Sequence, residues 1–212
     1  MKAPPPNLCF FLSKKEAKKT AAEQVPQTNK FMFAEGNIHV NKGLEKECVY
    51  MLRIRPYKSA DVDTILSWCK DEKAFYQWTA GVLGEYPITQ NEFKFVESLM
   101  PFTAFDETGV IGFFTLRSPD ETANELRFGF VTIKPDKRGK GYGKAMLRLG
   151  LEFVFERYGA KKATLGVFEN NPSAYYCYKS VGFHETVRDI AETYHVLGEE
   201  WKCREMEIES DL

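Results

Sequence analysis

Apolar and polar positions between residues 51 and 208 alternate with a period of two in some segments and recur at helical spacing in others. A period of two is typical of strands that have one buried face. The alternating segments therefore predict five strands, which cover residues 51–55, 102–105, 110–116, about 126–133 and 163–168. A final pair of strands is predicted between Gly182 and about Ile208, joined through Gly198.

Helical spacing of apolar residues, together with capping residues, predicts four helices between these strands. The first begins after Ser59, and the second runs from Thr89 to about Leu99, with a loop around Trp78 between them. The third is the strongest, because an apolar face recurs along it and a glycine follows at the position of a C-terminal cap. Its face consists of Leu147, Leu151, Val154, Phe155 and Tyr158, followed by Gly159. The fourth begins at Pro172, a residue favoured at the first helical position.

The predicted order of elements is β–α–α–β–β–β–α–β–α–β–β. Early hairpins favour antiparallel pairing, and a late crossover helix favours one parallel pair. This order predicts an α/β fold of the mixed α+β kind, in which helices cover both faces of a mostly antiparallel mixed sheet.

Residues 1–50 differ from the rest of the chain. They begin with three consecutive prolines, continue with a lysine-rich polar stretch and show no apolar stripe. We therefore expect residues 1–50 to be a flexible or loosely docked N-terminal extension, and residues 51–212 to form the functional domain.

Composition narrows the class of protein. Apolar residues make up 43% and charged residues 28% of the 212 residues, which are globular proportions. The formal net charge of -1 argues against nucleic acid as a partner, and no apolar run approaches the roughly 20 residues of a membrane span. The five cysteines form no C-x-x-C pair and, with three histidines, offer no metal-ligand spacing. We expect a cytoplasmic protein with reduced thiols and no metal.

The most informative segment is the basic, glycine-rich stretch R-G-K-G-Y-G-K at residues 138–144, between a predicted strand and a predicted helix. Its three glycines let the backbone turn tightly and approach a ligand closely. The helix that follows directs N–H groups and the positive end of its dipole at the same place, which suits a phosphate group. A solvated glycine-rich turn is the alternative interpretation.

Two well-known phosphate loops do not match this segment. A G-x-x-x-x-G-K-[ST] loop needs Gly at position 138 and Ser or Thr at position 145, which are Arg138 and Ala145 here. A G-x-G-x-x-G dinucleotide loop needs Gly at position 144, which is Lys144. These mismatches weaken the hypothesis of a nucleotide-binding protein.

The string V-T-I-K-P-D-K-R-G-K-G-Y-G-K-A-M-L, which begins at residue 131, resembles the R/Q-x-x-G-x-G/A signature of the GNAT acetyltransferase superfamily. The string F-E-N-N-P-S-A-Y-Y-C-Y-K-S-V-G-F, which begins at residue 168, resembles the second signature of that family, N-x-x-A-x-x-x-Y-x-x-x-G-F. The resemblance covers about residues 51–208. Within the family, the branch of ribosomal-protein N-terminal alanine acetyltransferases is the most similar in character.

The resemblance implies a GNAT-like sheet that splays at the site of acetyl-CoA, the implied co-substrate. The pantetheine arm would pair with the strand backbone, and the pyrophosphate would lie on the amides of the loop. Carried over residue by residue, these contacts fall on Val131, Thr132, Ile133, Arg138, Gly139, Lys140, Gly141, Tyr142, Gly143, Lys144 and Asn171.

The resemblance also implies two catalytic candidates. Tyr178 matches the family tyrosine that protonates the departing thiolate, although a tyrosine packed in the core is the alternative. Some relatives place a glutamate base on the strand before the loop, where Glu125 is the candidate, and others on the next strand, where this chain has Gly166. The alternative interpretation of Glu125 is a solvated carboxylate at the end of a strand, with no catalytic role. The early loop, which in this family helps to wall the acceptor site, carries Phe75, Tyr76, Trp78 and Glu85. Its aromatic side chains either enclose an acceptor chain or serve packing.

The implied function is N-acetyl transfer from acetyl-CoA to a primary amine, on a small molecule or a protein N-terminus, by direct attack through a tetrahedral intermediate. A non-catalytic acyl-CoA-binding sensor or regulatory module is the alternative, since the glycine-rich loop fits both. We expect no nucleic-acid or membrane partner, and a monomer or a homodimer.

Overall fold

The alternating segments of the sequence form one mixed sheet. This computed structural model describes residues 51–95, 98–119, 124–186 and 192–210. Among them the strands are β1 Arg53–Pro56, β2 Met100–Asp106, β3 Gly109–Arg117, β4 Glu125–Ile133, β5 Lys162–Phe168, β6 His184–Glu185, β7 Glu192–Val196 and β8 Glu199–Glu209. Their spatial order is β1-β2-β3-β4-β5-β8, with β6 and β7 both paired to β8. The described pairs are antiparallel except β4–β5, which is parallel. The predicted mostly antiparallel sheet is confirmed.

Helices cover both faces of the sheet, as predicted. They are α1 Val62–Leu66, α2 Glu72–Thr79, α3 Tyr142–Glu152 and α4 Pro172–Val181. One apolar cluster joins α3 and α4 to β4 and contains Met146, Leu147 and Phe128. A second cluster lies on the opposite face and joins α1 to Phe113 and Phe130. Alternation along β3 separates the two clusters, because Phe113 belongs to one and Phe114 to the other.

The third predicted helix is confirmed, including its buried stripe. Leu147, Leu151 and Val154 are all buried against the sheet. A wider turn at Phe153–Tyr158 continues α3, and Gly159 ends it in the left-handed conformation that suits a glycine cap.

The second predicted helix lies in the wrong place. The structure has a helix at Glu72–Thr79, where a loop was expected, and only turns and irregular backbone over residues 89–95. Asp71 caps α2 by accepting a hydrogen bond from the Ala74 amide at 2.7 Å. Residues 96–97 of the predicted helix lie outside the described residues.

The last part of the chain follows the prediction with one difference. β7 and β8 form the expected hairpin, which turns at Leu197 and Gly198. The first strand of this pair, predicted to begin at Gly182, is divided into β6 and β7, and residues 187–191 between them lie outside the described residues. The predicted extension at residues 1–50 lies outside the described residues. None of the helices built from the described residues has the length and apolar character that a membrane crossing requires.

Candidate functional site

The parallel strands β4 and β5 pair at one end and separate at the other, and we call this arrangement the fork. Their ladder covers only the three pairs from Glu125–Lys162 to Arg127–Thr164. Beyond Arg127 a cavity of about 640 Å³ opens between the strands. It is lined by residues 128–133 of β4 and residues 165–168 of β5, which are the two arms of the fork. Along the cavity the two arms therefore do not pair with each other, while β3 pairs with the outer edge of β4 and β8 with that of β5.

A bulge in β4 accounts for the separation. Gly129 pairs with Thr115 and Thr132 pairs with Phe113, so that two residues of β4 lie opposite one residue of β3. One of these two residues, Phe130, has a φ of 47°, in the left-handed region. A bulge bends its strand and increases the local twist. The bulge thereby turns the second half of β4 away from β5.

The glycine-rich loop forms the wall at the open end of the fork. A short 3₁₀ turn at Pro135–Lys137 leads into it, and Arg138 donates from Nε to the Ile133 carbonyl at 2.9 Å. Gly141 then serves as the N-cap of α3 with a φ of 82°. The first intrahelical bond recorded at this end runs from the Ala145 amide to the Gly141 carbonyl at 3.0 Å. The amides of residues 142–144 are therefore the ones that helix geometry leaves without intrahelical acceptors.

Most of the predicted cofactor-binding residues line this cavity. They are Val131, Thr132, Ile133, Arg138, Gly139, Gly141, Gly143, Lys144 and Asn171. Lys140 and Tyr142 are not among the lining residues. The Tyr142 ring instead lies 5.1 Å from the Lys137 ammonium nitrogen and packs against the core cluster of α3 and α4.

The loop makes a prediction for Gly141. Its left-handed φ makes a side chain costly by about 1 kcal/mol, while a Cβ there would meet no protein atom within 4 Å. Gly141→Ala should therefore lower stability modestly and, because the methyl group occupies space beside the amides, weaken coenzyme A binding about tenfold. Calorimetric titration with coenzyme A measures the second effect.

Gly159 provides the matched control for this variant. It has a φ of 83° and equally open surroundings, but it does not line the cavity. Gly159→Ala should therefore lose similar stability while binding coenzyme A as the wild type does. Equal weakening of coenzyme A binding in both variants would contradict a ligand-binding role for Gly141.

Tyr178 lies on α4 and lines the same cavity. The residue is 7% exposed, and its ring meets the ring of Phe183 edge to face, with 6.3 Å between the centroids. Burial raises the pKa of the Tyr178 phenol, and the neighbouring Cys177 and Cys203 raise it further. The phenol therefore keeps its proton at neutral pH and is able to donate it.

Asn171, the other predicted residue of this signature, caps α4. Its carboxamide oxygen accepts from the Ala174 amide at 3.3 Å and from the Ser173 hydroxyl at 3.1 Å. The side-chain NH₂ group is then the part of Asn171 that suits a ligand acceptor in the cavity.

Glu125 lies away from the cavity, at the closed end of the fork. Its carboxylate accepts a hydrogen bond from the Thr164 hydroxyl at 2.7 Å and lies 3.1 Å from the Lys162 ammonium. Lys162 also lies 3.7 Å from the Glu207 carboxylate. The structure does not bring Glu125 together with Tyr178 among the residues that line the cavity.

A buried ion pair beside Gly166 was missed by the sequence analysis. The Arg127 guanidinium donates two hydrogen bonds of 2.6 Å to the two carboxylate oxygens of Glu205. These side chains lie over Gly166, where an added Cβ would be 3.0 Å from Arg127 Nη2 and 3.2 Å from Glu205 Oε1. A glycine in a strand interior is a signal of such close approach.

The comparisons with known proteins agree with this architecture. A family model described as "Acetyltransferase (GNAT) family" matches residues 63–183, more than half of the chain. The protein therefore belongs to the GNAT family of acetyltransferases. This match confirms the predicted family, which is a family of acetyltransferases.

Particular relatives are more distant. Mycothiol acetyltransferases of Rhodococcus jostii and Rhodococcus opacus are each 30% identical over 95 residues, which is 43% of this chain and 31% of theirs. The match thus spans about a third of the length of these relatives. The crystal structure of spermidine N-acetyltransferase from Vibrio cholerae, in complex with CoA and spermine, has a TM-score of 0.64 at 20% identity. It covers 74% of this chain and 95% of that chain, and the likeness confirms the predicted fold.

Proposed function

We propose that this protein transfers the acetyl group of acetyl-CoA to the primary amine of a small molecule, within the fork between β4 and β5. The observation that carries the proposal is that one cavity is lined together by residues 128–133 of β4, by the start of α3 and by Tyr178. Acetyl-CoA supplies an activated thioester, and family membership at residues 63–183 supports its use here.

The residues around the cavity fit acetyl-CoA by their chemistry. The amides of residues 142–144 and the positive end of the α3 dipole suit the pyrophosphate, with Arg138 and Lys144 as nearby cations. The backbone of residues 131–133 offers hydrogen-bonding groups on the side of β4 that β5 leaves unpaired. A pantetheine arm, which carries two amides, suits this strand edge.

In the proposed reaction the amine nitrogen forms a bond to the thioester carbonyl carbon, and the carbon–sulfur bond breaks. Tyr178 donates its phenolic proton to the departing sulfur, and solvent later restores that proton. The acceptor amine loses its own proton to water. Glu125 takes no part in this scheme, because Lys162 and Thr164 hold its carboxylate at the closed end of the fork.

A small molecule is the proposed acceptor. The similar proteins support this choice, because two of them are named mycothiol acetyltransferases, from Rhodococcus species, and one is a spermidine N-acetyltransferase from Vibrio cholerae. A protein N-terminus is the alternative acceptor.

The test is a thiol-release assay with acetyl-CoA and a panel of polyamines, amino sugars and peptides with a free N-terminal alanine. We expect thiol release that depends on a small amine, with the acetylated amine identified by mass spectrometry. Turnover with the peptides alone would contradict the small-molecule acceptor. Tight coenzyme A binding without turnover on any amine would favour the sensor alternative, and no binding would overturn the proposal.

We further propose that the protein works in the cytoplasm. Cys69, Cys177 and Cys203, the cysteines among the described residues, are all free thiols, which is typical of a reducing compartment. The expected monomer or homodimer stays a prediction.

A further inference from the structure

Helix α2 reaches both arms of the fork with two consecutive side chains. The first of these contacts is made by Trp78, whose indole Nε1 donates to the Phe130 carbonyl at 2.7 Å. Phe130 is the residue of the β4 bulge that has the left-handed φ of 47°. Trp78 thus bonds directly to the backbone at the point where β4 turns away from β5.

The second contact is made by Gln77, on the other side of the cavity. Its side-chain Nε2 donates to the backbone carbonyl and to the side-chain oxygen of Asn170, each at 3.1 Å. Asn170 lies in the turn that joins β5 to α4, directly before the helix cap Asn171. Gln77 thus ties α2 to the end of the β5 arm.

Helix α2, which carries Gln77 and Trp78, is anchored in the protein core. Phe75 and Thr79 are fully buried, and the Thr79 hydroxyl donates to the Phe75 carbonyl at 2.9 Å. The Trp78 ring stacks on Phe93, with 6.0 Å between the centroids. Gln77 and Trp78 are neighbours in the same turn of α2, and they bond to the end of the β5 arm and to the β4 arm of the fork, respectively. The positions of these two side chains therefore set the distance between the arms.

We infer that α2 sets the distance between the two arms of the fork, and that Gln77 and Trp78 are positioning residues for acetyl-CoA. The inference rests on the proposed function, because the fork is taken as the acetyl-CoA site. Neither side chain needs to touch the reacting atoms for this role. The two bonds hold the arms at the separation at which the β4 backbone and the α4 cap face one ligand.

The test uses variants that remove each bond and keep most of the volume. Trp78→Phe removes the indole donor, and Gln77→Met removes the amide donor. Each should raise the dissociation constant of coenzyme A and the KM for acetyl-CoA about three- to tenfold, the usual weight of one or two hydrogen bonds, with kcat within about twofold. In the double variant, the dissociation constant should rise by less than the product of the two single increases, because α2 no longer connects the two arms once either bond is lost.

Phe93→Leu is the matched control, since it removes the stacking partner of Trp78 and leaves both bonds to the arms in place. It should lower the melting temperature at least as much as Trp78→Phe and bind coenzyme A as the wild type does. The inference is overturned if the single variants bind like the wild type, or if Phe93→Leu weakens binding equally. A wild-type protein that neither binds coenzyme A nor turns over would instead refute the proposed function.

Discussion

Replacing Tyr178 by phenylalanine is expected to lower kcat about a hundred- to a thousandfold while the dissociation constant of coenzyme A changes less than about twofold. Loss of a positioned general acid has an effect of this size, because the thiolate then departs without a proton. The binding constant should hold because the ring still fills its buried place beside Phe183. Steady-state thiol release and calorimetric titration measure the two quantities.

Tyr175→Phe is the matched control on the same helix. The Tyr175 hydroxyl donates to Glu185, and Tyr175 is not among the residues that line the cavity. This variant should keep the wild-type kcat. Loss of activity in both variants, or full activity in Tyr178→Phe, would contradict the role of Tyr178 as the acid.

The raised pKa of Tyr178 makes a related prediction for the wild type. The ordinary pKa of a tyrosine is about 10, and burial raises that of Tyr178 above it. The acid form therefore persists through alkaline pH. We expect a kcat profile that shows no fall between about pH 7 and 9.5; a fall in this range would mean that a group with a lower pKa is the acid.

Glu205→Gln is expected to lower the free energy of unfolding by about 3–5 kcal/mol, the usual cost of removing one partner from a buried ion pair. Both side chains are buried, with Arg127 9% and Glu205 7% exposed. Burial alone lowers the pKa of Arg127, but the Glu205 carboxylate raises it above its ordinary value, so the guanidinium stays charged. Denaturant unfolding followed by circular dichroism gives the free energy.

Two comparisons make this result specific. Asp136→Asn removes one partner of the exposed pair with Lys134, at 3.4 Å, and should change the free energy of unfolding by less than about 1 kcal/mol. The double variant Arg127→Met with Glu205→Met should recover much of the stability lost in Glu205→Gln, because no charge stays buried without its partner. A double variant no more stable than the single one would contradict this account.

The ion pair matters to the site because of its position. Arg127 is the last residue of β4 that pairs with β5, and Glu205 lies on β8, on the other side of β5. The pair therefore bridges three strands at the closed end of the fork. Gly166 leaves space for it, since an added Cβ would lie 3.0 Å from Arg127 Nη2 and 3.2 Å from Glu205 Oε1.

Local patterns made most of the sheet predictable. Strands β2 to β5 follow alternating segments, and α3 follows a helical stripe with a glycine at its end, so each depends on neighbours in sequence. The glycine-rich loop was recognisable for the same reason, because its conformation depends on glycines within a few residues of one another. Nine of the eleven predicted cofactor residues line one cavity.

The misplaced helix shows where local signals fail. Thr89 and Glu92 have the spacing of a capping box, and the Thr89 amide does donate to the Glu92 carboxylate at 2.9 Å. The chain nevertheless continues without a helix, because Phe93 and Phe95 both enter the aromatic cluster around Phe113. Tertiary packing outweighs the local cap here.

The contacts that shape the fork could not be read from the sequence. Trp78 and Phe130 are 52 residues apart, and Gln77 and Asn170 are 93 residues apart. No periodicity connects such positions, and only the folded sheet brings them together. The same holds for Arg127 and Glu205, which are 78 residues apart.

The most direct test of the central claim is hydrogen–deuterium exchange of the whole chain with and without coenzyme A. If the fork binds the ligand, peptides that cover residues 128–133 and residues 138–144 should exchange more slowly when coenzyme A is present. Peptides from β2 and from the β7–β8 hairpin, which lie outside the cavity, should exchange at the same rate in both samples. Protection confined to other segments, or no protection at saturating coenzyme A, would contradict the assignment of the fork as the acetyl-CoA site.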